Sequence, residues 1–385
     1  MKFHPQALFG HARSFVHLMG VSLFVMASLA SSQSYAADPL KTAALKISNP
    51  ESSALFVIDS VGSKLMSAGE RGHVILSDDQ GKTWRQQDLP VSVTLTDVQF
   101  FDDQIGWLTG HDGVVLKSEN GGESWKLVLD GFQLNKLVAD HLAQIERSLQ
   151  VQLAKSEDKD DIADVGFLLG EIQYALRDTQ QALENRWTRP LFTIAVLDEK
   201  TVLVGGAYGT LIKTVDGGLT WQAMMADTHN PRGLHFYDFD ISGEAIYLAG
   251  EYGLLRRSLD GGATWDVLES PYEGTFFGVR ATQEKIIVYG LQGTAYIADG
   301  SAGNWRLLEL PTSAGIVDMV HLSNENMVFL ASDGGLFLTD AQGKQVERLE
   351  TKVEGAAALY RSKSALWLAG LNGLHSLELF GLNFL

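Results

Sequence analysis

One pattern recurs along the chain and confines it to a repeat architecture: a short apolar strand, Gly-x-x-Gly, a second apolar strand, then a polar turn ending in Trp. Clear copies are LMSAGERGHVILSDDQGKTW (65–84), GWLTGHDGVVLKSENGGESW (106–125), VLVGGAYGTLIKTVDGGLTW (202–221) and IYLAGEYGLLRRSLDGGATW (246–265). Weaker copies at 286–305, 328–345 and 366–380 bring the number to seven. The first small residues are Gly69, Gly110, Gly206, Gly250, Gly290, Ala331 and Gly370. They lie roughly 40 residues apart, except that the step from Gly110 to Gly206 is too long by about 55. Such a period, with several short strands per unit, is the signature of a propeller whose blades are small sheets packed on their neighbours. The expectation is an all-β chain: a seven-bladed β-propeller of four-stranded antiparallel blades over residues 37–385, interrupted between blades two and three by an α-helical hairpin over 131–188.

Within a unit, the stretch before each pattern, such as TDVQFFD (96–102), FYDFDIS (236–242) or FFGVRAT (276–282), is the strand that lines the central channel. Trp begins the outer strand. The last unit runs out of chain soon after Phe380, so its fourth strand is expected from the N-terminal segment near Thr42 to Ser48. That pairing would remove the open sheet edge.

The turn before Trp reads SDDQGKTW at 77–84, TVDGGLTW at 214–221 and SLDGGATW at 258–265. Asp79, Asp216 and Asp260 can accept backbone N–H groups of the turn, Gly81, Gly218 and Gly262 supply a positive φ, and Trp84, Trp125, Trp221, Trp265 and Trp305 cover apolar surface between blades. A structural role is expected for all of them, since a calcium loop needs many more oxygens. The Gly-x-x-Gly turns lack the third Gly and the following helix that a nucleotide site requires.

The long step contains two helical periodicities. Leu134, Leu137, Val138, His141, Leu142, Ile145 and Leu149 mark the first, and Val165, Leu168, Leu169, Ile172, Leu176, Thr179 and Leu183 the second, with SEDKDD (156–161) as a solvated turn. Such a hairpin either buries both stripes against the propeller or offers a remaining apolar edge to a partner. In a blade, the connection into the first strand and the turn between the second and third strands share one end of the ring. The hairpin enters blade three by such a connection, so it should stand on the face that carries the Gly-x-x-Gly turns. Arg71, His111, Asp112, Tyr208, Glu251, Tyr252 and Asn372 lie in those turns, and Arg232, His235, Tyr272 and Phe276 in the connections. Aromatic and mixed-charge groups of this kind suit recognition of a protein.

Composition narrows the partners. The formal charge of −17 disfavours nucleic acid, and an anionic lipid surface for the same reason. With no Cys there is no disulfide, thiolate metal site or cysteine nucleophile. Residues 1–15 carry Lys2 and Arg13 but no acid, residues 16–30 form a short apolar run, and Ser34 and Ala36 make an Ala-x-Ala type processing site. This reads as a signal peptide over residues 1–36, which places the working protein in the periplasm, or in a thylakoid lumen if the host is photosynthetic. No cofactor or metal is expected, nor any membrane span after processing, and the protein should be a monomer.

Chemistry has little support. Asp97 and Asp318 fall at equivalent places on channel-lining strands of blades two and six, as a carboxylate pair for glycoside hydrolysis would need. Those blades sit across the ring, so both are expected as solvated channel residues. The His residues lack the paired helical spacing of a hydrolytic zinc site, and no Gly-x-Ser-x-Gly elbow occurs.

The Trp-ended turns resemble the Asp-box, or BNR, repeat of sialidases, xyloglucan-degrading glycosidases and sortilin-type receptors. With the seven units and the segments SPYEGTFFGV (270–279) and NPRGLHFYDFD (230–240), the chain is most similar to the photosystem II assembly factor-like propeller family over roughly residues 50 to 380. That resemblance implies a noncatalytic helper that binds protein, an assembly or accessory factor for an inner-membrane complex such as a photosystem. The alternative implied by the Asp-box is a carbohydrate-active protein, either a glycoside hydrolase or a glycan binder. The acidic balance and the inserted hairpin depart from the photosynthetic pattern.

Overall fold

A computed structural model describes residues 38–300, 303–322 and 324–379. The proposed signal peptide lies outside them. Seven antiparallel sheets follow one another along the chain, and each joins its strands in sequence order. Blade one spans 55–86, two 95–129, three 191–223, four 236–267, five 276–307, six 316–352 and seven 356–378. The first strand of each blade packs on the first strands of its neighbours, and that of blade seven meets that of blade one, so the ring closes. The cores lie mostly between blades: Met66, Leu76, Leu95 and Leu108 join blades one and two, and Ile287, Phe329 and Phe337 join five and six. No helix of the described residues is long and apolar enough to cross a membrane.

Six blades have four strands, but blade seven has three among the described residues. The segment Thr42 to Ser48 does not complete it. That stretch runs instead beside blade one: Ala44 N–H donates to Leu89 O at 3.1 Å, Ile47 N–H to Gln86 Oε1 at 3.0 Å, and Ser92 N–H to Pro39 O at 2.9 Å. Leu40 is buried in the core shared by blades one and two. The physical reason is that the outer strand of blade one, Arg85–Gln86, is only two residues long and leaves polar groups that this segment satisfies. The seam between blades seven and one is closed by side chains. Trp84 meets Trp367 edge to face at 5.9 Å, above a cluster of Leu55, Ile58, Leu65 and Ile75.

The insertion is a helical hairpin, α1 (Gly131–Lys155) and α2 (Lys159–Asn185). A capping box starts α1: the Asp130 side chain accepts from Phe132 N–H and Gln133 N–H, and Gln133 Oε1 accepts from Asp130 N–H. Asp158 caps α2, so Lys159 to Asp161 already belong to its first turn and the loop shrinks to 156–158. At the base of α1, Leu134, Val138 and Leu142 pack with Trp107, Val115 and Leu191 of blades two and three. Each such side chain contributes about 1.5–3 kcal/mol by leaving water. Farther along, α2 turns Phe167 and Tyr174 outward, 61% and 67% exposed.

Candidate protein-binding face

Each strand-two to strand-three turn is tied to the connection that enters its own blade. His111 N–H donates to Thr94 O at 2.8 Å, Ala207 N–H to Pro190 O at 3.1 Å, and Glu251 N–H to His235 O at 3.1 Å. Turn and connection therefore share one end of the ring. Blade two needs glycine where they cross, because a Cβ on Gly110 would lie 2.4 Å from Thr94 O, whereas blade six accommodates Ala331 at the matching place. The second residue of five turns has left-handed backbone: Arg71, Asp112, Tyr208, Tyr252 and Gln292, with φ between 50° and 58°. A non-glycine residue there costs about 1–2 kcal/mol, which the surrounding hydrogen bonds offset.

The hairpin stands on this same end. Thr188 Oγ1, just after α2, donates to the Asp112 carboxylate at 2.6 Å, and Arg189 Cζ lies 5.8 Å from the Tyr208 ring centroid. Beside it, blades three and four bring together five of the residues expected on the face. Tyr208 meets His235 edge to face at 5.2 Å, and His235 Nδ1 lies 3.5 Å from Glu251 Oε1. Arg232 sits over the Tyr252 ring at 5.3 Å. Tyr208 and Tyr252 are 55% and 66% exposed, so aromatic surface is presented to solvent with charge beside it.

The other expected face residues do not join this cluster. Arg71 and His111 are exposed on blades one and two. Asn372 Nδ2 donates to Glu354 O within blade seven. Tyr272 packs on Phe276 at 5.8 Å, but Phe276 is fully buried and belongs to the core between blades four and five. Its place at the start of the inner strand aims it between sheets.

An aromatic run that the sequence reading missed continues from the cluster into the channel. Phe192 stacks on Tyr237 at 5.5 Å, and Tyr237 meets Phe277 edge to face at 5.9 Å. These residues and Phe56 occupy matching positions one residue before Thr193, Asp238, Gly278 and Val57. All four line a channel cavity of about 260 Å³.

One step deeper, acceptors on one blade take backbone N–H groups from the next. Asp97 accepts from Ile194 at 2.9 Å, Thr193 from Phe239 at 3.0 Å, Asp238 from Val279 at 3.0 Å and Asp318 from Leu359 at 2.7 Å. Asp97 and Asp318 are therefore not the solvated residues expected. They are latches between blades, Asp318 buried and Asp97 half-buried, because the inner strands diverge and leave N–H groups that no sheet partner reaches. Arg280 bridges Asp238 and Asp318, and the Tyr289 hydroxyl donates to Asp318 at 3.3 Å. Burial raises Asp97 and Asp238 to about 7 despite these bonds, and raises Asp59 to about 7 as well. A wider use of the repeat could have found Asp238, since FYDFD (236–240) occupies the same register as LTDVQ (95–99).

At the opposite end of the ring lie the Trp turns. Asp260 Oδ1 accepts from Ser258 Oγ at 2.8 Å and Thr264 N–H at 2.9 Å, and Oδ2 accepts from Thr264 Oγ1 at 2.7 Å. Asp79 and Asp216 repeat the arrangement, and blade two uses Asn120 in place of Asp. These bonds hold the Asp79 and Asp216 carboxyls down at about 2, the threonine hydroxyl contributing most in both. Gly81, Gly218 and Gly262 face Trp367, Trp107 and Leu203 of the preceding blade. Trp125 Nε1 donates to Gly122 O, Trp221 meets Trp107 at 6.2 Å, Trp265 meets Phe239 at 6.2 Å, and Trp305 Nε1 donates to Glu269 O.

Seven sheets in a closed ring, Trp-ended Asp turns at one end and a hairpin-flanked aromatic face at the other define an Asp-box β-propeller with a helical insertion. The chain belongs to the family described as Photosynthesis system II assembly factor YCF48, which it matches over residues 63–146 and 175–361, more than half of its length. The unmatched stretch between them is the outer part of the hairpin. A segment of 49 residues, 12% of this chain, is 41% identical to Photosystem II stability/assembly factor HCF136, chloroplastic, of Cyanidioschyzon merolae, and spans 11% of that relative's length. Among solved structures, YCF48 from Cyanidioschyzon merolae is similar at a TM-score of 0.57 and 15% identity, over 84% of this chain and 94% of that one. YCF48 bound to D1 peptide has a TM-score of 0.58 and 14% identity, over 86% of this chain and 97% of that one. At these identities the likeness is one of fold.

Proposed function

We propose that the protein is a noncatalytic, exported propeller that binds a protein segment and serves as an assembly or accessory factor for a membrane protein complex, such as a photosystem. The observation that carries this reading is the cluster of Tyr208, Arg232, His235, Glu251 and Tyr252 beside the hairpin, since exposed aromatics paired with Arg are the side chains that dominate protein recognition. Family membership supports it, as does the fold shared with a relative solved bound to D1 peptide. The engagement of Asp97 and Asp318 in interblade latches counts against glycoside hydrolysis, because neither is free to act as acid or nucleophile. The leader-like sequence of residues 1–36 supports a site of action in the periplasm or thylakoid lumen.

The test is co-purification of membrane-complex subunits with the chain from its own host, comparing wild type with the double variant Tyr208→Ala, Tyr252→Ala. Both side chains are exposed, so the variant should melt like wild type and lose the subunits. Undiminished co-purification by a folded double variant would refute the assignment to this face.

A further inference from the structure

Where α1 and α2 lean over blade three they enclose a groove of about 510 Å³, within the usual range of small-molecule sites. Its walls are aliphatic: Leu142, Ile145, Leu168 and Ile172 from the hairpin, Met225 and Ala226 from the loop after blade three. Arg189 also lines it and is only 5% exposed. Its Nε donates to Asn135 Oδ1 at 2.8 Å and Nη2 to Thr179 Oγ1 at 2.9 Å, both neutral acceptors. Nη1 has no hydrogen-bond partner among the described residues, and the guanidinium forms no ion pair with any of them. Asp178 and Glu171 line the same groove outside ion-pair distance of it, Asp178 near enough to favour the charged guanidinium, and His229 and Arg232 line the propeller side.

A guanidinium this deeply buried ordinarily has a carboxylate or phosphate against it, because desolvating an unpaired cation is costly. Burial pulls the pKa of Arg189 down accordingly. The groove has room for an anion beside the guanidinium and an apolar path leading to it. The helical walls have their backbone groups already paired within each helix, so they offer a peptide main chain few partners, whereas an alkyl chain needs none.

We propose that this groove binds a small amphiphile, an unbranched aliphatic chain ending in a carboxylate, with its head on Arg189 and its tail among Leu142, Leu168, Ile172 and Met225. The carboxylate takes the free Nη1 edge of the guanidinium, and the flexible Met225 adapts to the tail. The site borders the exposed aromatic cluster, sharing Tyr208 and Arg232 with it, but its head-group and tail contacts on Arg189, Leu142, Leu168, Ile172 and Met225 do not depend on that cluster binding a protein.

Isothermal titration of the full chain with decanoate, decylamine and methyl decanoate tests it. Decanoate should bind saturably at one site, and the amine and the ester at least about ten-fold more weakly. Arg189→Gln should lose at least about ten-fold in decanoate affinity. Because Arg189 also ties Asn135 and Thr179 together, Leu168→Trp serves as a second variant. It fills the groove from the α2 wall, leaves the Arg189 bonds intact, and should abolish binding without lowering the melting temperature. Equal binding of decylamine, undiminished decanoate binding by Leu168→Trp, or no saturable decanoate binding by wild type would each overturn the proposal.

Discussion

The Asp318 carboxylate of blade six accepts the Leu359 N–H of blade seven at 2.7 Å, while its other oxygen faces Arg280 of blade five. One side chain thus joins three consecutive blades. Asp318→Ala removes a buried acceptor and leaves Arg280 with Asp238 as its nearest charge, so it should cost about 3 kcal/mol in denaturant unfolding. Asp318→Asn keeps an oxygen for Leu359 and should cost less. Equal losses for the two variants would place the latch's value elsewhere than in the hydrogen bond.

The channel carboxylates give the fold a pH dependence of defined sign. Asp59, Asp97 and Asp238 sit at about 7 in the folded chain against an ordinary 3.8. The folded state then holds more protons than the unfolded one, and stability present at low pH is lost as pH rises from about 4 through 7. Asp79 and Asp216, held at about 2, act in the opposite direction only below about pH 4. Melting temperature should therefore fall between pH 5 and pH 8. Asp59→Asn, at the channel carboxylate that accepts only from its neighbour Ser60, should melt above wild type at pH 8 and close to it at pH 5. A flat profile would contradict the assigned shifts.

The seam between blades one and seven rests on close packing. Gly81 has φ +85°, and a Cβ there would lie 2.1 Å from Trp367. Gly81→Ala should destabilise by about 2–3 kcal/mol, combining backbone strain with displacement of the indole. Gly243 has φ +62° with open space around it, so Gly243→Ala should cost only about 1 kcal/mol. Thermal melts of the two variants separate strain from packing.

How legible these features were in the sequence depends on whether the repeat carries them. The seven-fold ring, the Trp turns and the hairpin all announce themselves through period and spacing, because each is a local pattern that the chain copies or interrupts. The sharing of one face by the hairpin and the Tyr208 and Tyr252 turns followed from blade topology alone. Phe276 was misplaced because a strand's first residue can point either into the core or out of it, and pattern does not say which. Closure through Thr42 to Ser48 was misjudged because any short extended segment can satisfy whichever unpaired edge it meets first, here the two-residue outer strand of blade one. Arg189 carries no repeat signal, and its importance arises only when Asn135, Thr179 and Tyr208, distant in sequence, surround it.

The corrected position of the N-terminal segment has its own consequence. Deleting residues 38–47 removes Leu40 from the core of blades one and two and breaks the Ala44 to Leu89 bond, without opening the seam of blade seven. Stability should drop by about 2–4 kcal/mol while unfolding stays cooperative. Loss of cooperative unfolding would instead indicate that this segment closes the ring.

The central claim, that the hairpin-flanked end of the ring meets a membrane-complex subunit, is tested most directly by placing a photo-crosslinking residue in living cells at Tyr252 or at Leu219. The second is 85% exposed in the Trp turn at the opposite end. A membrane-embedded subunit captured from position 252 and absent from position 219 is the predicted result. Capture of that subunit from 219 alone would contradict the claim.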